Sequence, residues 1–538
     1  MYYSLAKRIV ATGGCVENTE SLLKEKTLQI SVGETDLCTI KGKGYILLDF
    51  GKEISGGARI LTHGAGTGVK VRLRFGESVS ESCSEIGEKG ATNDHSVRDF
   101  EVALQRYSDM TFGQTGYRFL RVDCLEEDKT LTLKSIVAAI DTDTREETGK
   151  FECDDELVNK IWDTAAYTLR LCLQNGYIWD GVKRDRLVWI GDLYPEMRTA
   201  QCLFDETPET LKCLDFSMTQ SPLPRWANGM PAYSLWWLII LADEYKTRAD
   251  KGAFEKYLPY VKGLVQQISD CVQEDGTTSY PAHFVDWPTN YVAGEPIEKD
   301  EASRAGVAYL TLIAMEKTAE FLAEFGEDTS LCKEICARLA GKERKVHHFK
   351  QVAALGVWSG DKSENNKKVL LDGGAKGLST FMSYPILTAV GAYGEYEAAL
   401  NMLKEYYGGM LSVGATTFWE DFDIDWLKGA SRIDELPKAG EKDIHGDYGA
   451  FCYKGFRHSF CHGWSAGVIP YLAETVAGIQ VVGAGMKKIR IQPHLSGLKR
   501  VKISYPTPYG VLKVEHTQQD NGEIKTEISA PEEIEIVE

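Results

Sequence analysis

Between Asp180 and Asp192 the chain reads Asp-Gly-Val-Lys-Arg-Asp-Arg-Leu-Val-Trp-Ile-Gly-Asp. These thirteen residues hold three carboxylates (Asp180, Asp185, Asp192), three cations (Lys183, Arg184, Arg186) and one indole, Trp189. Far downstream a second cluster, Gly414-Ala-Thr-Thr-Phe-Trp-Glu-Asp-Phe-Asp423, again sets carboxylates beside aromatic rings. Cleaving a glycosidic bond takes two carboxyl groups on opposite sides of it, and sugar rings stack on indoles. A solvated charge run is the ordinary explanation of mixed Lys, Arg and Asp. Leu187, Val188, Trp189 and Ile190 speak against it, because they would bury the segment. Buried carboxylates need partners, and the three basic residues can supply them. Gly181 and Gly191 point to a loop, the kind of segment on which catalytic groups collect.

In the second cluster Glu420 follows Trp419 directly and suits a base at the wall of an aromatic pocket. An acidic surface turn is the alternative; the twelve-residue calcium-loop pattern is absent. Arg457-His-Ser-Phe-Cys-His-Gly-Trp-Ser-Ala-Gly467 is expected to open the last long helix. Ser465 lies in no strand–turn–helix elbow of a nucleophilic serine. His462 is a sugar-hydroxyl partner or a structural residue at the helix start, and both roles stay open. Asp286-Trp287 and Trp236-Trp237 are candidate sugar platforms, although at least one of the tandem tryptophans belongs to the core of a very apolar stretch. Arg184, Trp419 and Trp464, adjoining these groups, are further binding candidates. Gly64-Ala-Gly-Thr-Gly68 precedes a strand and opens no helix, so it is no phosphate cradle.

Three kinds of texture position these residues. Over 1–148, short runs such as Tyr45–Phe50 and the alternating Val69-Lys-Val-Arg-Leu-Arg-Phe75 predict a β-sandwich. Over 149–478, apolar residues recur at helical spacing, first at Leu157, Val158, Ile161, Trp162, Ala165, Leu169 and Leu173 behind the N-cap candidates Asp154 and Asp155. Similar patterns follow at 235–247, 254–273, 303–325, 329–340, 393–407 and 464–478. That is too much helix for a four-helix bundle, and a closed ring of helical hairpins is the natural solution. Over 479–538, strands return as a small antiparallel β domain.

The 538 residues allow about three domains of ~150 residues each. Hydrophobic residues at 43% suffice for full cores, and a net charge of −18 disfavours phosphate backbones and anionic lipid. Neither nucleic acid nor membrane is expected as a partner; self-association stays open. The longest apolar run, Leu235–Ala242, is far short of the ~20 residues a spanning helix needs. The opening residues lack a signal-peptide pattern, and the thirteen scattered cysteines read as free thiols, which together predict a cytoplasmic location. Cys332-x-x-x-Cys336 lies in a helical pattern. No cofactor and no metal are expected.

The stretch DGVKRDRLVWIGD resembles the acidic motif of the bacterial α-L-rhamnosidases, glycoside hydrolase family 78, in which an Asp is followed by Arg-Glu-Arg-Leu-Gly-Trp and then Gly-Asp. LDFGKEISGG at 48–57, SLWW at 234–237, VDWP at 285–288, GATTFWE at 414–420, HGWSAG at 462–467 and the IQPHLSG…TPYG tail resemble that family in the same order. The resemblance implies an (α/α)6 barrel flanked by β domains. It implies an inverting release of terminal α-L-rhamnose from small glycosides or oligosaccharides, with Asp185 as general acid and Glu420 as general base. It also implies that Asp180 and Asp192 hold sugar hydroxyls, and that Trp189, Trp287 and His462 line the pocket.

Two positions depart from the motif: Asp185 stands where the family has Glu, and Val188 where it has Gly. The shorter Asp loses roughly 1.5 Å of reach, whereas proton donation needs contact near 3 Å. Either the backbone sits closer, or the proton passes through water, or the activity differs, as in a glycosidase for another sugar or a sugar-binding protein with weakened catalysis. A protonated Asp185 requires a pKa raised by burial or by a neighbouring carboxylate. Arg184 and Arg186 are therefore expected to pair with Asp180 and Asp192 instead of Asp185.

Overall fold

The computed structural model describes residues 2–64 and 68–537; residues 65–67 of the glycine-rich stretch named above lie outside them. The first domain is built from β1 (Tyr2–Leu5), β2 (Arg8–Glu17), β3 (Cys38–Thr62), β4 (Val69–Gly76), β5 (Asp99–Leu104), β6 (Asp109–Cys124) and β7 (Thr130–Ile140). They form one continuous sheet in the order β1-β7-β3-β6-β4-β5, with β2 also on β3. All pairings are antiparallel except that of β3 with β7. The expected sandwich would have had two separate sheets. Here the 25-residue β3 serves both layers, its pairing with β6 broken by an irregularity between Asp49 and Ile54. Such bulges bend a strand and increase its twist. The inward-facing Ile46, Leu48, Ile60, Val71, Leu73 and Phe75 close the core.

The helical domain begins as its sequence suggests, with the Asp155 carboxylate accepting the N–H groups of Leu157 and Val158 at the head of Glu156–Cys172. Six inner helical segments are Ile190–Leu203, Pro231–Arg248, Ile297–Glu324, Lys350–Trp358, Ser383–Gly391 and the run 463–476. They touch in that order, and the last returns to the first, closing a ring. Glu156–Cys172, Pro208–Gln220, Leu258–Cys271, Ser330–Leu339, Glu364–Leu371 and Tyr396–Ser412 alternate with them along the chain. Several inner helices escape a periodicity search because they are buried nearly all round: an apolar stripe is visible only where a polar face opposes it. The last long helix, expected over 464–478, is instead a 3-10 turn, one α turn and a π turn over 463–476. Pro470 lacks an N–H, and glycines at 463 and 467 weaken the regular ladder.

The C-terminal strands form a four-stranded sheet, Ile524–Ser529, Gly510–Gln518 and Arg500–Thr507, completed by Lys150–Cys153 from the other end of the helical domain. A three-stranded sheet of Ile479–Val481, Lys488–Ile491 and Glu535–Val537 lies beside it, and its last pair is parallel, contrary to the all-antiparallel expectation. The thirteen cysteines are free. Among the described residues no helix is long and apolar enough to cross a membrane.

Candidate active site

The 180–187 segment wraps around the side chain of its first residue. Asp180 accepts the Leu187 N–H at Oδ1 and the Asp185 N–H at Oδ2, both at 2.8 Å, while its own N–H donates to the Leu187 carbonyl at 3.0 Å. Gly181 permits this closure, since a Cβ there would lie 2.6 Å from the Arg184 carbonyl oxygen. Gly191 belongs to the helix and not to the loop; it lets Tyr233 pack against the first turn, where a Cβ would overlap its ring. Asp192 sits in that same turn, where the helix dipole favours a carboxylate. Its Oδ2 lies 3.0 Å from His462 Nε2, and its Oδ1 accepts the Tyr233 hydroxyl at 3.3 Å.

Arg184 does not pair with Asp180 or Asp192. Its Nη2 reaches both oxygens of Glu420, at 2.8 and 2.6 Å, and its Nη1 reaches Asp185 Oδ1 at 2.9 Å. Asp180 has no need of it, because two backbone N–H groups already satisfy that carboxylate. Arg186 turns away with φ of 65°, lies over the Trp179 ring and donates to the Gln114 carbonyl. Glu420 is further held by the Ser459 N–H on Oε2, while its carbonyl accepts from Thr380 Oγ1 and Trp464 Nε1.

Charge is distributed differently from the expectation. Burial acts to raise the Asp185 pKa, but the Arg184 and His95 charges and the Arg184 hydrogen bond outweigh it, holding the carboxyl below its ordinary value. Asp180 is the raised one: burial pushes it up to about 7, opposed by His462 and assisted by Asp192. For His462 burial works downward, yet the Asp192 hydrogen bond and the Glu420 and Asp180 charges carry it to about 9, so it is a cation at neutral pH. Two more acids stand behind: Asp286 is raised by burial to about 6, and Asp421 by burial, Asp286 and Glu420 to about 8.

Asp180, Asp185 and His462, but neither Asp286 nor Asp421, open onto one cavity of about 560 Å³. Asp180, Arg184, Asp185, Asp192, Glu420 and His462 form its polar floor, and Trp189, Met230, Tyr233, Phe284, Trp287 and Trp464 its apolar wall. The arrangement suits a hydroxyl-rich ring with one apolar face.

Residues 146–339 match the model of the bacterial α-L-rhamnosidase six-hairpin glycosidase domain, and residues 478–537 match that of the bacterial α-L-rhamnosidase C-terminal domain. The chain carries domains of the bacterial α-L-rhamnosidase family. A curated α-L-rhamnosidase of Formosa agariphila is 21% identical over 458 residues, 75% of this chain and 45% of that protein. The chain thus spans about half the length of that relative. In fold it is similar to the family 78 rhamnosidase of Bacillus sp. GL1, with a TM-score of 0.73 at 20% identity, covering 96% of this chain and 55% of that one. The Streptomyces avermitilis α-L-rhamnosidase complexed with L-rhamnose gives 0.69 at 14% identity, covering 100% and 49%. The Klebsiella oxytoca rhamnosidase with rhamnose bound gives 0.66 at 17%, covering 87% and 94%.

Against this family background, three predicted binding residues do not reach the cavity wall. Trp237 is wholly buried in the core with its Nε1 on the Leu214 carbonyl. Trp419 is wholly buried and stacked on Phe460, so it supports Glu420 from behind. Asp286 spends one oxygen on the Trp287 N–H and the other on Ser379 Oγ, fixing Trp287 in place. Both tryptophans lie in apolar surroundings, and size with packing prevailed over any platform role. Residues that sequence reasoning passed over include Asn228, Met230, Tyr233, His283 and Phe284, which stand alone among ordinary neighbours, and His95, from the first domain. Glu77, Glu81 and His445 bring three buried ligand atoms together as a metal site would. The Lys183 ammonium already lies 2.8 Å from Glu77 and 3.2 Å from Glu81 and supplies the positive charge there.

Proposed function

We propose that the chain is an inverting glycosidase that releases terminal α-L-rhamnose from small glycosides or oligosaccharides. The observation that carries this reading is that Asp185 and Glu420 open onto one cavity, joined through one guanidinium and facing an apolar wall. The contacts of 2.9 and 2.6 Å to the two ends of Arg184 keep their nearest oxygens within about 8 Å. That upper bound overlaps the ~6.5–9.5 Å of an inverting enzyme and equally admits the ~5–5.5 Å of a retaining one, so the anomer first released, and not this distance, decides the stereochemistry. Glu420 takes a proton from that water as it attacks the anomeric carbon, and the Asp185 side delivers one to the departing oxygen. Asp180, Asp192 and His462 offer acceptors and a donor to ring hydroxyls. Trp189, Phe284 and Trp287 offer apolar surface to the methyl group of a 6-deoxy sugar. The rhamnose-bound relatives of the same fold support the choice of sugar.

The test is hydrolysis of 4-nitrophenyl α-L-rhamnoside beside a panel of other aryl glycosides, with proton NMR of the first product anomer. A preference for the rhamnoside and initial release of the β-anomer are expected. Preference for another sugar, or initial α-anomer, would refute the substrate or the stereochemistry respectively. Binding of rhamnose with no turnover of any glycoside would make the chain a sugar-binding protein.

A further inference from the structure

His95 stands on the loop leading into β5 and crosses from the first domain to the 180–187 loop, its Nε2 lying 3.1 Å from Asp185 Oδ1. Arg184 Nη1 meets the same oxygen at 2.9 Å. The position is built and not incidental. Ser96 Oγ donates to the Lys183 carbonyl at 2.9 Å and shares a hydrogen bond with Thr115 Oγ1 at 2.8 Å. Asn93 Oδ1 accepts the N–H groups of Arg98 and Asp99, so the base of the loop is clamped.

We propose that His95 is a positioning residue and proton reservoir for Asp185, so that the acid of this site is a His–Asp pair. The inference rests on the hydrolytic reading above. An acid must bring a proton, and Asp185, beside the Arg184 guanidinium, carries its charge. Arg184 cannot release a proton. An imidazole can do so near neutral pH, and His95 is the imidazole in contact with the Asp185 carboxylate. In the resting pair the proton is on Nε2. When a glycoside displaces water from the cavity, the separated charges lose solvation. The Nε2–H bond then breaks as an O–H bond forms on the Asp185 carboxyl, leaving neutral imidazole and neutral acid. As the glycosidic C–O bond breaks, its electron pair stays on the leaving oxygen, which takes that proton, and Asp185 returns to carboxylate. The proton of the attacking water goes to Glu420 and from there to solvent, while the partly exposed imidazole recovers one from solvent.

The charged groups facing His95 are Asp185 with Arg184 behind it, Asp94 with its partner Arg457, and Arg186 on the wall of the adjoining groove.

The experiment compares the full-length wild type with His95→Gln on phenyl and 2,4-dinitrophenyl α-L-rhamnosides. Phenoxide is a poor leaving group that needs protonation; dinitrophenoxide is not. For His95→Gln, kcat/KM on the phenyl glycoside is expected to fall about 10²-fold, a typical general-acid contribution, with less than about threefold loss on the dinitrophenyl glycoside. Equal losses on both substrates would mark a purely structural role and overturn the inference. In Asp185→Asn, the further change His95→Gln should cost no more than about twofold on the phenyl glycoside, because the two residues act as a unit; an undiminished 10²-fold loss would also overturn it. A wild type inert on every glycoside removes the hydrolytic reading itself. An active wild type with an indifferent His95→Gln removes this inference alone.

Discussion

Replacing Lys183 by Met should loosen the joint between the first domain and the catalytic loop, and the loss should depend on pH. The Lys183 ammonium is buried between Glu77 (2.8 Å) and Glu81 (3.2 Å) and also donates to the carbonyls of Phe456 (3.0 Å) and His458 (2.6 Å). Both glutamates are at most 1% exposed. Methionine matches the volume of the stem but leaves Glu77 without its cation and Glu81 with only the Arg98 guanidinium, 3.7 Å away. Removing one partner of a buried pair costs about 3–5 kcal/mol. For a domain of ~150 residues that lowers the midpoint of thermal unfolding by on the order of 10 °C.

The pH dependence has a definite sign. Burial pushes Glu77 up to about 7, with Lys183 opposing and Glu81 adding to the rise. A carboxyl whose folded pKa lies above its unfolded value of 4.5 binds more protons when folded, so stability falls as pH rises from 4.5 to about 7 and levels off above. Without Lys183 the rise is steeper, and the Lys183→Met deficit should be larger at pH 8 than at pH 5. Differential scanning fluorimetry at both pH values measures it, and a second substitution, Glu77→Gln, should restore part of the loss at pH 8. A deficit equal at the two pH values, or a double variant worse than Lys183→Met, would show that the ion cluster is not what holds the joint.

Asp180→Asn places an amide N–H₂ against the backbone N–H of Asp185 or Leu187, which should cost about 1–3 kcal/mol and at least tenfold in kcat by misplacing Asp185; a crystal structure of the variant with an unmoved loop would contradict this. Gly191→Ala should push the Tyr233 ring off the helix and break its hydroxyl contact to Asp192, at about 1–3 kcal/mol of overpacking, read by thermal unfolding. Trp287→Ala should raise KM for the rhamnoside about tenfold with little change in kcat, because the ring binds ground and transition states alike; a fall in kcat with unchanged KM would contradict that role. Glu420→Gln should reduce kcat by at least about 10²-fold on phenyl and dinitrophenyl rhamnosides equally, since the base acts on water and not on the leaving group. A selective loss on the phenyl substrate would place Glu420 on the acid side.

Much of the helical ring was legible where a polar face exists. Glu156–Cys172 announces itself by its Asp155 cap and its apolar stripe, and Ser330–Leu339 by its stripe. Lys350–Trp358 and Ser383–Gly391 carry no stripe because every side is covered. In the site, Asp180, Asp185, Asp192 and Glu420 were visible because carboxylates beside aromatic residues in otherwise apolar surroundings are unusual. Their partners were not visible. Which of three adjacent cations meets which acid depends on directions that spacing does not encode: Lys183 points to the first domain, Arg184 into the cavity and Arg186 over Trp179.

That divergence explains why the position of Asp185 could be read from the sequence but not its charge. A local rule would give each arginine the nearest carboxylate in sequence, and Asp180 would then have been neutralised by Arg184. The backbone pre-empts this, because the N–H groups of Asp185 and Leu187 occupy Asp180 and free the guanidinium for Glu420, 236 residues away. Once Arg184 spans Glu420 and Asp185, the charge on Asp185 is stabilised by construction, and burial alone cannot keep it protonated. If Asp185 is the acid, as proposed above, its proton comes from a group outside the loop, and the first domain brings His95 into contact with it, on a segment whose own sequence shows no catalytic pattern. The β domain thus contributes to the candidate site: it holds the loop through Glu77 and Glu81 and meets Asp185 through His95, so the helical ring by itself would contain both carboxylates without the environment that sets their charges.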